Sequence, residues 1–341
     1  MSMNAKNILS LMAVAFLIGC GKPESNQYEG STVKSVTSDE EKAKFKVALL
    51  TPGPVSDSGW NALAYEGLQA IKADMGATVD QKESSGTKIA DDMRTYARQG
   101  YNVVFGHGFE YNDPAMRVAK DFPNTVFVTS SGGGTAKNVG AFRFDLEEGF
   151  YIAGYMAALM SKNGVIGSVS VQNYPSIVST LKAYAAGAKA ARPTVQVLPP
   201  VYFGVEGDVA RARTATQQVI NQHADFIIHQ ANAAAQGIFD ACKEKKVYAF
   251  GSNANQNDNP SGIVIGSAVI STKTPFKELA DAAKRKVYVG AIGEYAMINN
   301  AIDFVINPKL LDKVPADVQQ KVRDLAADIK SQKIVVPKDK F

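Results

Sequence analysis

Residues 46–67 read KVALLTPGPVSDSGWNALAYEG. An apolar, β-rich run, Val47 to Leu50, enters a loop of Pro, Gly and Ser, after which Leu63, Leu68 and Ile71 recur at helical spacing. The stretch predicts strand, loop, helix. In an open α/β sheet such a loop stands at the carboxyl end of a parallel strand, where ligands bind and where the following helix exposes unpaired N–H groups. Trp60, the single tryptophan of the chain, stands at that helix start beside Asn61. An indole face stacks on a flat ring, and a primary amide offers donors and acceptors to its edge. Asp57, Ser58, Trp60 and Asn61 therefore form the first candidate ligand corner, although Asp57 suits helix capping equally well.

The same alternation continues outward. Ala77 to Glu83 reads as a strand, Ile89 to Arg98 as a helix, and Tyr101 to Gly106 as a buried strand whose end loop carries His107 and the candidate contact Phe109. After strands Thr125 to Thr129 and Val139 to Phe144, the small-residue helix 149–160, GFYIAGYMAALM, is too short to span a bilayer and suits close packing. A second series then begins. Val165 to Val171, Val195 to Phe203, Asp225 to Gln230 and Val247 to Gly251 read as strands separated by helices. Strands alternating with helices predict parallel, doubly wound sheets with right-handed crossovers. Two such α/β units in tandem predict two lobes, 46–145 and 146–265, with facing carboxyl edges and a cleft between them. The remainder, 266–341, is expected to cross between the lobes and mostly complete the first, with a strand Ile263 to Ser271 and helices Pro275 to Arg285, Ala296 to Val305 and Ala316 to Lys330.

Strand ends supply the other candidates. Asn173 and Tyr174 follow the first strand of the second unit, Gln230 and Asn232 end another, and Asn253 and Gln256 lie in the turn 251–256, GSNANQ. Arg143, near the crossing into the second lobe, either meets a ligand carbonyl or pairs with Glu147.

Ahead of the globular part, Lys6 precedes an apolar run, Ile8 to Ile18, of signal-peptide length. Leu17-Ile18-Gly19-Cys20 matches a bacterial lipobox, so 1–19 read as a lipoprotein signal peptide and Cys20 as the lipidated residue. Residues 20–45, rich in Ser, Glu, Lys and Thr, read as a flexible tether. The expected location is the bacterial cell envelope, with the globular part in the periplasm or otherwise outside the cytoplasmic membrane.

Composition narrows the function. With 37 Lys and Arg against 33 Asp and Glu, the net charge is +4 and the basic residues are scattered, so no nucleic-acid footprint is present. Of the 2 cysteines, Cys20 is assigned to the lipid, which leaves Cys242 unable to form an intrachain disulfide and expected to pack as a small side chain. The histidines His107, His223 and His229 show no metal-ligand spacing, and no metal or cofactor is expected. Gly132-Gly133-Gly134 lacks the Lys and Ser/Thr of a phosphate loop. No Gly-x-Ser-x-Gly elbow or other catalytic arrangement is present, so a hydrolase is the less favoured class.

GPVSDSGWN in the first loop, EEGFYIAGYMAALMSKNGVIGSV in the middle and VYAFGSNANQ near the end resemble the basic membrane protein family, in the right order and behind a lipobox. The similarity covers roughly Lys46 to Pro337. It implies a type I periplasmic-binding-protein fold, two α/β lobes joined by a hinge, and a substrate-binding lipoprotein that serves an ABC permease and ATPase as a monomer. Many members bind purine nucleosides. Trp60 replaces a phenylalanine found in nucleoside binders and resembles the branch that takes free bases such as adenine. Asn253 and Asn255 stand where nucleoside binders carry acids, which weakens the case for ribose because an amide lacks the charge assistance of a carboxylate. The resemblance thus implies a purine base or nucleoside as ligand. Riboflavin or another flat heterocycle is the alternative within binding proteins, and a ligand-sensing surface lipoprotein without transport is the alternative outside them.

Overall fold

Among the described residues, thirteen strands form two separate sheets. The computed structural model describes residues 45–57 and 59–340. The lipobox, Cys20, the tether up to residue 44 and Ser58 lie outside the described residues.

The first sheet contains β1 (Lys46–Thr51), β2 (Thr78–Glu83), β3 (Val103–Gly106), β4 (Val126–Ser130), β5 (Val139–Phe144) and β12 (Ile292–Tyr295), in the order β12-β5-β4-β3-β1-β2 and parallel throughout. Its central strands β1, β3 and β5 are almost wholly buried, as their continuous apolar runs require when helices cover both faces. Strand β2 has the sequence TVDQKE and stays mostly exposed, which fits an edge. The second sheet contains β6 (Val165–Ser170), β7 (Gln196–Val197), β8 (Val201–Tyr202), β9 (Phe226–Gln230), β10 (Tyr248–Asn253), β11 (Val264–Ile270) and β13 (Ile302–Ile306). Its order is β13-β11-β10-β9-β6-β7, with β8 also on β6 and only β13 antiparallel.

Helices α1 (Trp60–Met75), α2 (Lys88–Arg98), α3 (Asn112–Val118), α4 (Glu147–Met160), α5 (Pro175–Ala191), α6 (Val209–Ile220), α7 (Ala235–Lys245) and α8 (Lys273–Lys284) connect the strands, and α9 (Ala316–Lys330) follows the last of them. The small residues of α4 serve close packing on α5. A Cβ on Gly154 would run into the Tyr184 carbonyl, and one on Gly187 into the Tyr151 carbonyl. The two backbones therefore approach more closely than any larger side chain allows.

Three sequence expectations need correction. Val195 to Phe203 is not one strand: Pro199 and Pro200 lack N–H donors and split it into β7 and β8. Ala296 to Val305 is not a helix. Asn299 Oδ1 accepts the Ala296 N–H at 2.7 Å, Asn300 takes φ +57°, and the chain turns into β13, which finds its backbone partners on β11. The tail is shared between the lobes rather than given mostly to the first. Helix α8 and β12 join the first sheet's lobe, whereas β13 joins the second sheet. The chain consequently crosses between lobes after β5, after β11 and after β12.

Candidate functional site

All crossings leave from strand carboxyl ends, and those edges of the two sheets face one another across a cavity of about 460 Å3. That volume falls in the range of small-ligand clefts, roughly 300–1,000 Å3. The first lobe contributes Pro52, Asp57, Trp60 and Asn61 after β1, Phe109 and Glu110 after β3, and Ser131 after β4. The second contributes Tyr174, Ile177 and Thr180 after β6, Glu206 after β8, Gln230 and Asn232 from β9 and its loop, and Asn253 from β10.

Asp57 ties the first loop to α1. Its carboxylate accepts the N–H groups of Gly59 at 2.9 Å, Asn61 at 3.0 Å and Ala62 at 2.9 Å, so it satisfies the first turn and is largely committed to capping. The cap fixes Trp60 and Asn61 at the cavity wall. Trp60 lies on the ring of His107, with centroids 3.9 Å apart and planes 22° from parallel, and meets Phe144 edge-on at 6.2 Å. Asn61 is buried, and its Oδ1 has no protein partner. A buried acceptor in a cavity wall is a position for a ligand N–H.

On the opposite wall the amides are linked in a row. Gln230 donates to Thr180 Oγ1 at 3.3 Å, and Asn253 Nδ2 donates to Gln230 Oε1 and Asn232 Oδ1, each at 3.3 Å. Asn232 Oδ1 also accepts the Trp60 N–H at 3.3 Å, which joins the lobes at the start of α1. Three non-glycine residues of the cavity wall hold left-handed backbone: Ser131 at φ +62°, Asn232 at +42° and Asn253 at +65°. Such conformations are retained where the surroundings over-determine them, often at ligand sites.

Arg143 reaches the cavity wall but is engaged in the crossing. It binds Glu147, donates to the Asp339 carbonyl at 2.6 Å and lies 3.5 Å from Asp145. Of the two roles open to it, pairing with Glu147 is the one in place. The remaining charges on the wall are carboxylates: Asp57, Glu83, Glu110, Glu147 and Glu206. Glu206 stands on the exposed rim, where partial withdrawal from water and then the carboxylates of Asp57 and Glu110 raise its carboxyl above the ordinary range, against a hydrogen bond from Asn232.

Asn173 and Gln256 do not line the cavity. Asn173 is exposed just before α5, and Gln256 lies behind the wall, its Oε1 bonded to His229 Nε2 at 3.1 Å and to the Ser252 N–H at 3.0 Å. Asn255 is likewise spent on its own turn, accepting the Asn257 N–H at 3.1 Å. Sequence reading missed Glu83, Glu110 and Glu206, since scattered acids carry no spacing signal. For Glu110 the adjacency to Phe109 in a strand-end loop was the available clue. Cys242 is fully buried, and burial raises its thiol, as a packed side chain requires. Among the described residues no group of His, Cys, Asp and Glu is placed to hold a metal, and no helix is long and apolar enough to cross a membrane.

Comparison with known proteins places the chain in a family and a fold. A nucleoside-binding protein of an ABC transporter from Lactococcus lactis is 28% identical over 359 aligned positions, covering 98% of both chains. A purine-binding protein from Brucella abortus is 29% identical over 215 positions, 61% of this chain and 60% of that one. The crystal structure of an ABC transporter solute-binding protein from Aeropyrum pernix superimposes with a TM-score of 0.76 at 18% identity, covering 86% of this chain and 94% of that one. The fold is that of the type I periplasmic binding proteins. The profile of the Bmp family, described as ABC transporter substrate-binding protein PnrA-like, matches residues 44–340, and the chain belongs to that family.

Proposed function

We propose that this protein captures a purine base or nucleoside between its lobes and presents it to an ABC permease, held at the membrane by a lipid on Cys20. The family is one of substrate-binding proteins rather than enzymes, which supports a small-molecule ligand and permease and ATPase partners. The observation that carries the ligand class is the pairing of an aromatic platform with amides on facing walls of one cleft. Trp60 and the unpartnered Asn61 Oδ1 lie on one side, and Gln230, Asn253 and Asn232 lie on the other. A flat, heteroatom-rich ring satisfies both at once. The names of the Lactococcus and Brucella relatives support the same class. The carboxylates around the cleft, with Arg143 committed to Glu147, disfavour a phosphorylated ligand. Ligand that touches both lobes binds the closed state better and draws the population toward it, and the permease then reads the closed form.

The test is calorimetric titration of the purified protein with adenine, adenosine, guanosine, adenosine monophosphate, riboflavin and ribose. A purine base or nucleoside is expected to saturate the protein at one site, with the monophosphate weaker. Trp60→Ala is expected to cost about 1–3 kcal/mol, roughly 5- to 150-fold in Kd, in a protein that still unfolds cooperatively. Saturation by riboflavin alone would transfer the site to the other flat-ring reading. Silence toward every ring compound would sink the assignment.

A further inference from the structure

His107 is 1% exposed and is bonded through both ring nitrogens. The Trp60 carbonyl, 2.9 Å from Nε2, can only accept, so Nε2 carries the proton, and Nδ1 accepts from the Ser130 hydroxyl at 3.2 Å. Burial lowers the ring's pKa to about 3, with the bond to Trp60 opposing, so the imidazole stays neutral at ordinary pH. The second lobe repeats part of this device. His229 approaches Ser252 at 3.5 Å, again a residue 23 positions onward on the next strand, and donates to Gln256. The ring contact recorded there is an edge approach to Phe239 at 5.2 Å, not a stack on a cleft aromatic. The strand-to-strand histidine and serine thus belong to the repeated frame, whereas the stack on Trp60 is particular to the first lobe.

We propose that His107 is the positioning residue of the cleft tryptophan: stacked on one indole face and bonded to the Trp60 carbonyl, it locks the ring so that the other face serves the ligand. The inference rests on the reading of Trp60 as the stacking group. Because one face is covered, the cleft offers a one-sided platform, and a ligand is enclosed only when the second lobe closes over it.

Trp60 is the only tryptophan, so its fluorescence reports this position without interference. Time-resolved anisotropy of the ligand-free full chain is compared among wild type, His107→Ala and His107→Phe, with calorimetry against adenine and adenosine. In His107→Ala the indole is expected to gain a fast depolarisation absent from wild type, with affinity falling at least about fivefold. His107→Phe, which restores a ring, is expected to bring back wild-type anisotropy and most of the affinity. Unchanged anisotropy in folded His107→Ala would overturn the proposal. Should His107→Ala not fold, His107→Gln takes its place, since it keeps an N–H for the Trp60 carbonyl but offers no ring. Faster depolarisation there supports the stack as the lock, and wild-type anisotropy overturns it. If wild type binds neither purine, the ligand assignment fails, while the anisotropy comparison still decides the positioning role.

Discussion

Glu148 lies in the first turn of α4, where the chain has just crossed between lobes, and its Oε2 accepts the Met297 N–H at 2.6 Å. Burial raises its carboxyl to about 7, with the Met297 bond opposing and Asp145 adding. A carboxyl whose folded pKa exceeds its unfolded value binds more protons in the native state. Its contribution to stability is therefore present below about pH 4.5, falls as pH rises toward 7 and is flat beyond. The buried histidines run the other way. His107 and His229, lowered by burial to about 3 and about 4, destabilise the fold when acid begins to charge them, so stability rises with pH until the unfolded histidines are neutral. The difference between wild type and Glu148→Gln isolates the carboxyl. Urea unfolding from pH 4.5 to 8 is expected to show wild type losing about 1–3 kcal/mol relative to the variant across that range. A difference that does not change with pH would place the ionisation of Glu148 elsewhere.

At the scale of elements, the ligand corner depends on a helix distant in sequence. Helix α8 returns to the first lobe after β11, and Thr272 at its start donates to the Leu63 carbonyl of α1 at 2.5 Å. Its Phe276 stacks on Phe105 at 4.6 Å and meets the ring of His107 at 6.3 Å, so aromatic contacts run from the core of the first lobe through His107 to Trp60. Gly67 of α1 makes room for that ring: a Cβ there would stand 2.7 Å from Phe276 Cγ and 3.0 Å from both Cδ atoms. The ring has little freedom to retreat, since Phe105 and Phe142 flank it. Gly67→Ala gains up to about 1 kcal/mol of helix propensity, whereas overpacking a confined ring costs about 1–3 kcal/mol. Net destabilisation, with an altered Trp60 emission spectrum, is the expected result of denaturant unfolding followed by fluorescence. A more stable variant with wild-type emission would show that the two helices separate freely.

At the scale of the whole molecule, residues 338 and 339 meet the first crossing between the lobes. Lys338 pairs with Asp145 at 2.7 Å and with Glu294 of β12 at 2.9 Å. Asp339 binds the second lobe, accepting from Lys182 of α5 at 2.7 Å and bonding Ser179 through its N–H at 2.9 Å, while its carbonyl accepts from Arg143. The segment thus straddles both lobes behind the cleft, and Arg143 and Glu147 of the same network reach the cavity wall. Removal of residues 338–341 is expected to widen the ligand-free ensemble, since it frees contacts on both lobes, and to weaken ligand binding by several-fold because closure then starts from a more open state. Small-angle scattering with and without adenosine checks this. Identical radii for the truncated and intact chains would show that the tail exerts no restraint.

The repeated alternation of apolar strand runs and helical spacing was enough to establish two parallel α/β units with facing carboxyl edges, because burial on both faces leaves a continuous apolar signature in each strand. A Pro/Gly loop beside a lone tryptophan also marked Trp60 and Asn61, local features that need no distant partner to be noticed. Local pattern did not reach β12 and β13, since strands of four and five residues acquire their state from the neighbours that pair with them. Nor did it separate Asn253, on the cavity wall, from Asn255 and Gln256 behind it, because which amide faces a cleft follows from the turn's backbone and not from residue type. The acids at Glu83, Glu110 and Glu206, the histidine under Trp60 and the tail across the hinge were decided by tertiary structure alone. They lie far apart in the chain, and only packing of the two lobes brings their charges and rings to one place.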